Sequence, residues 1–241
     1  MKINKFTAIG ATVALAISAV VGMSAAASAA DDIYVPLDEI RQAQDGLPYP
    51  QNQWFVGDPA GPALTQDETG LTIEARNQLQ YGETIPNVTS GELTTFVDSA
   101  EFDADGDLFF QIALYANGNF TTIMPEFAGQ PSTTGNWIVS RAIGDIAEGV
   151  PVSFATILEL IGTTDAGVGT DAGTVQIVSF GVFSYGEGNS ALLRSVTWGD
   201  RSGESAQTWI FYTPEEVVPP VVPPVEAVVP TPIQDPATFT G

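Results

Sequence analysis

The densest run of groups able to bind or transfer is Glu101-Phe102-Asp103-Ala104-Asp105-Gly106-Asp107. Acids at alternate positions ahead of a glycine can wrap a calcium ion, which takes roughly six to eight oxygen ligands. Paired acids can also serve as general acid and base in glycoside cleavage. Few other chemistries are open. The chain has no Cys and no His, and its lysines are Lys2 and Lys5. Ser-His and Ser-Lys nucleophiles, cysteine nucleophiles and His/Cys zinc sites are therefore excluded once the leader described below is removed.

Spacing sorts the two carboxylate readings. The run resembles the first half of an EF-hand-type loop, but the twelfth position from Glu101 is Ile112, so the closing bidentate glutamate is missing. Glu101, Asp103, Asp105 and Asp107 remain the candidate ligands of a structural Ca²⁺, against the simpler reading of a solvated acidic turn. The run also resembles the E-x-D-x-x-E strand of laminarinase-type jelly-roll glycoside hydrolases. Its third acid, Asp107, is displaced by one, and Gly106 suits a turn. A hydrolase needs two acids converging across a cleft, so the chain is read as non-catalytic, with carboxylate-dependent glycoside hydrolysis as an alternative.

Aromatic rings offer a different chemistry, stacking on sugars. Trp137 and Trp198 sit among aliphatic residues and are expected in the core. Tyr185, between Gly181 and Gly188, is the ring expected to be exposed. Tyr185, Tyr115 and Tyr81 are the candidate ligand-binding residues.

Apolar periodicity predicts the elements that must position these groups. From Leu71 to Tyr81 every second residue faces one way, the pattern of one half-buried strand over eleven residues. Leu93 to Val97 reads as a strand leading to an acidic turn at Asp103–Gly106. Leu108 to Tyr115 is apolar on both faces, and Asn117-Gly118 closes it as a tight hairpin with Phe120 to Met124 returning. Trp137–Ile143, Val175–Phe183, Leu192–Trp198 and Thr208–Tyr212 complete the strands. Phe154, Ile157, Leu158 and Ile161 fall at i, i+3, i+4 and i+7 between Ser153 and Gly162, predicting one short amphipathic helix. The loop after it, with Thr164-Asp165-Ala166-Gly167 and Thr170-Asp171-Ala172-Gly173, has little to bury and is expected to be mobile. The fold class is all-β: an antiparallel, jelly-roll-like β-sandwich with one short helix and a disordered Pro-rich tail.

Composition supplies the compartment. Lys2 and Lys5, the apolar run Ala8–Val21 and the small residues Ser24–Ala30 have the three-part layout of a secretory signal peptide. The expected division is a leader at 1–30, an irregular segment at 31–62 anchored by Trp54 and Phe55, a sandwich at 63–213, and a proline-rich spacer at 214–241. Leu37–Ile40 is expected to form a helical turn within the irregular segment. The formal net charge is −22, and −24 without Lys2 and Lys5. Such a surface repels nucleic acids and anionic lipids, and no apolar run beyond the leader predicts membrane insertion.

Taken together, Gly70-Leu71-Thr72-Ile73-Glu74-Ala75-Arg76-Asn77-Gln78-Leu79-Gln80-Tyr81-Gly82, Phe120-Thr121-Thr122-Ile123-Met124-Pro125, Phe180-Gly181-Val182-Phe183 and Ser195-Val196-Thr197-Trp198 resemble secreted or wall-associated β-sandwich proteins of actinobacteria. The resemblance implies a fold and an extracellular location; with no LPxTG-like sorting motif in the given sequence, the chain is expected to be soluble outside the cell or held at the wall non-covalently. The reading is a secreted binding protein that contacts a glycan, a cell-wall polymer or a surface protein. An acidic, calcium-associated matrix protein is the alternative to it.

Overall fold

Alternating apolar residues punctuated by glycine and asparagine turns build thirteen strands and two α-helices in the described part of the computed structural model. The described residues are 32–41, 47–57, 62–167, 170–185, 188–199 and 206–213. The segments expected as a leader (1–30) and as a disordered proline-rich spacer (214–241) lie outside them. The strands begin with β1 (Ile33–Tyr34), β2 (Gln53–Val56), β3 (Thr65–Asp67), β4 (Gly70–Glu74) and β5 (Gln78–Val88). Helix α1 (Ser90–Ser99) leads to β6 (Glu101–Asp105), β7 (Phe109–Ala116), β8 (Asn119–Pro125), β9 (Asn136–Val139) and β10 (Val152–Ser153). Helix α2 (Phe154–Gly162) precedes β11 (Val175–Phe183), β12 (Ser190–Gly199) and β13 (Ala206–Ile210).

Two sheets result. The seven-stranded sheet runs β10-β9-β8-β7-β11-β5-β2, antiparallel throughout. The six-stranded sheet is organised on β12. Leu192 and Leu193 pair with both β4 and β6, while Ser195–Thr197 pair with both β13 and β6. β4 and β13 therefore share one edge of β12 end to end, and β6 takes the other. β3 extends β4, and β1 joins β13 in parallel. The outer edge of β6 is closed by a side chain: the Gln130 amide accepts from Phe102 N at 3.0 Å and donates back to the Phe102 carbonyl. That satisfies the Phe102 backbone groups on an edge that would otherwise be open to strand pairing.

The facing sides of the sheets form one core. Leu71, Ile73, Val196 and Trp198 come from one sheet, and Phe110, Ile112, Phe180 and Val182 from the other. Trp137 and Trp198 are buried, as their aliphatic neighbours imply. All four tryptophans are in fact buried, Trp54 and Trp209 included.

Several expectations need correction. The eleven-residue alternation at 71–81 is not one strand. Arg76 adopts a left-handed φ of 67° and its N–H donates to the Ser184 carbonyl at 3.0 Å, so the chain turns out of β4 and enters β5 in the opposite sheet. The alternation survives the corner because Leu71, Ile73 and Leu79 all point into the same core. Leu93–Val97 is helical, within α1. Thr89 and Glu92 form a reciprocal capping box, with Glu92 N donating to Thr89 Oγ1 at 3.3 Å and Thr89 N to Glu92 Oε2 at 2.8 Å. Leu93, Phe96 and Val97 then share the buried face. The described residues thus carry two α-helices, not one. They meet where the Ser90 hydroxyl donates to the Leu158 carbonyl at 2.9 Å. α2 starts as expected, with Ser153 Oγ accepting from Thr156 N at 3.1 Å.

Asp103 to Asp105 lies in a strand, β6, and the turn is confined to Gly106 at φ 105°. The 31–62 segment is only partly irregular, because it contributes β1 and β2 to the two sheets; the helical turn at Leu37–Glu39 is present. The described part of the loop after α2 is tied down at both repeats. Asp165 N donates to Asn117 Oδ1 at 3.0 Å and Asp171 N to Asn87 Oδ1 at 2.8 Å. Both asparagines have left-handed φ, and Asn117-Gly118 forms the tight hairpin expected between β7 and β8. No described helix is long and apolar enough to cross a membrane.

Candidate functional site

β1 and β2 are the terminal strands of their respective sheets and lie on the same side of the sandwich. Between them opens a cavity of about 620 Å³. Alternation along β2 sends Trp54 inward to its floor, where it meets Tyr81 from β5 and Trp209 from β13. Tyr81 and Trp209 are 4.8 Å apart, Trp54 and Tyr81 5.5 Å, and Trp54 meets Trp209 edge-on at 5.6 Å. Trp54 and Trp209 are only 3% and 6% exposed, so Tyr81 and Tyr34, both half-buried, present the available ring surface. The indole N–H of Trp54 is buried without a partner.

The rim is polar. The helical turn after β1 supplies Asp38 and Glu39, and the approach to β2 supplies Gln51, Asn52 and Gln53. Asn52 takes a left-handed φ of 55° and its N–H donates to the Gly82 carbonyl at 2.7 Å, which fixes this segment against β5. Gln51 Oε1 accepts from Thr84 N at 2.9 Å. Glu83, two residues beyond Tyr81 on β5, is half-buried, and desolvation holds its carboxyl above the ordinary carboxylate range. Burial, and next the nearby Glu83, raises the Tyr81 hydroxyl as well.

A second concavity, about 330 Å³, lies on the outer face of the seven-stranded sheet. Phe109, Met124, Ile138, Phe183 and Tyr185 line it, with Glu126 at its margin. Tyr185 is 67% exposed, as expected, and stands edge-on to Phe183 at 5.9 Å and Phe109 at 6.3 Å. Tyr115 lies elsewhere, edge-on to Phe120 at 5.5 Å, with the Arg141 guanidinium over that ring. The three candidate tyrosines therefore occupy three places: Tyr81 the cavity floor, Tyr185 the outer groove, and Tyr115 the Phe120 cluster.

The acidic run is held differently again. Glu101, Asp103 and Asp105 are exposed on one side of β6, and Asp107 follows the bend. Arg194 from β12 pairs with Asp105 and, at 3.4 Å, with Asp103. The hydrogen bond that the guanidinium donates to Asp105 is the main reason Arg194 is held above its ordinary range. Among the described residues, no group of three or more His, Cys, Asp or Glu side chains is placed to hold a metal ion.

The cavity is the feature that residue-by-residue reading missed. Its signal was Gln51-Asn52-Gln53-Trp54, three amides followed by an indole, in a segment expected to be irregular. Comparison with protein-family models, with curated proteins and with solved structures finds no match.

Proposed function

We propose that this chain is a non-catalytic, secreted binding protein of jelly-roll-like build whose cavity between β1 and β2 takes a glycan or cell-wall polymer. One observation carries the reading: aromatic rings and three side-chain amides line one cavity. Amides donate and accept at once, which suits sugar hydroxyls, while Tyr81 and Tyr34 offer ring surface to the apolar faces of a pyranose. A preformed concavity with few convergent polar groups is the usual setting for such recognition. The leader-like layout at 1–30 supports export, and the acidic surface argues against nucleic acid and anionic membranes as partners.

The test is retention of the full chain on peptidoglycan, starch, cellulose and chitin, beside Tyr34→Ala and Gln53→Ala at the cavity mouth. The expected result is retention on at least one polymer that both substitutions weaken. Absence of retention on all four, or retention indifferent to both substitutions, overturns the proposal.

A further inference from the structure

The described lining of the cavity holds acidic side chains and no basic one. Asp38 and Glu39 line it, and Glu83 stands two residues from Tyr81 on the same strand. Among the described residues, no arginine lines it. Of the four described arginines, Arg194 pairs with Asp103 and Asp105 on β6, Arg141 lies over Phe120, Arg76 stands at the corner between β4 and β5, and Arg41, two residues beyond Glu39, is tied through its backbone to Trp54 and Val56 and is not among the lining residues. Glu83 is half-buried, and burial raises its carboxyl above the ordinary range. Neutral sugars would leave these acids as they are. A protonated amine would satisfy them, and the half-exposed Tyr81 and Tyr34 rings favour a cation as well as an apolar sugar face.

Resting on the glycan reading above, we propose that the cavity selects sugars bearing a free amino group, with Asp38 and Glu39 receiving the ammonium and the amides Gln51–Gln53 receiving neighbouring hydroxyls. The chain's high negative charge assists by raising the local concentration of a cationic polymer, an effect that salt weakens. Preference within the site must come from the rim acids, since the overall field acts on any cation alike.

The test is calorimetric titration of the full chain with two soluble tetramers of identical linkage. One is built of glucosamine and the other of N-acetylglucosamine, at a pH where the free amines are protonated. The expected result is at least ~tenfold tighter binding of the amine form. Asp38→Asn combined with Glu39→Gln should abolish the difference; both residues are exposed, so the variant should fold. Melting temperature checks that it does. Glu83→Gln serves as an independent second variant and should reduce the preference. Equal or tighter binding of the acetylated tetramer overturns the amine selectivity and leaves the glycan reading standing. A preference that persists in both variants also overturns it, by assigning the effect to overall charge. Equally tight binding of a lysine tetrapeptide shows recognition of a cation without a sugar and overturns it too. Failure of both tetramers, together with failure on the four polymers, overturns both readings.

Discussion

Tyr81 on β5 and Trp209 on β13 face each other with ring centroids 4.8 Å apart, so the two sheets touch at the floor of the cavity. The same contact that shapes the site also holds the sandwich closed along that side. Tyr81→Ala should therefore cost about 2–4 kcal/mol in urea unfolding as well as ligand affinity, by loss of buried ring surface and the void left behind. Tyr81→Phe keeps the ring and should retain most of the stability. Comparing the two separates the ring's structural contribution from that of its hydroxyl.

Phe180 stacks on Trp198 at 4.3 Å with an interplanar angle of 14°, and Trp198 stacks in turn on Phe96 of α1 at 4.9 Å. One indole thus ties both sheets and a helix together. Phe180→Ala should destabilise by roughly 3–5 kcal/mol, and Phe180→Leu by less, in equilibrium denaturation. A cost below 1 kcal/mol would mean that the sheets do not pack through this ring.

The Thr89–Glu92 capping box satisfies two N-terminal backbone donors of α1. Thr89→Ala should cost about 1 kcal/mol, and Thr89→Ser much less. Denaturant midpoints for the two variants make the comparison directly.

The capping box also shows why sequence reading went wrong where it did. After Leu93, Thr94-Thr95-Phe96-Val97 is made of β-branched and aromatic residues, so local propensity points to a strand. Thr89-x-x-Glu92 just upstream is the signal that outweighs it. By contrast, β11 is bounded as its composition implied, because Val175–Phe183 is apolar enough to be central whichever neighbours it finds. The corner at Arg76 was invisible to periodicity, since both β4 and β5 face one core. The cavity was harder still: its walls come from β1, β2, β5 and β13, which are remote in sequence, and only pairing brings them together. Tyr185 was legible because a single glycine-flanked ring needs no tertiary context to be exposed.

Burial raises the Glu83 carboxyl above its ordinary value of 4.5, so the folded state binds this proton more tightly than the unfolded chain does. The sign follows from proton linkage. Stability from the protonated form is fully present below the ordinary value and is lost as pH rises through the window between it and the raised folded value. Glu83→Gln should remove that loss. Its urea midpoint should exceed the parent's above the window and converge on it in acid. A midpoint below the parent's at neutral pH would show that Glu83 has a favourable partner.

The most direct test of the central claim uses the cavity's own chromophores. Trp54 and Trp209 line it, so tryptophan emission of the full chain should change saturably as soluble oligosaccharide from a retained polymer is added. Gln53→Ala should shift that titration to at least several-fold higher concentration. Saturable binding by calorimetry with no change in emission, or an emission curve identical in Gln53→Ala, would contradict placement of the ligand between β1 and β2.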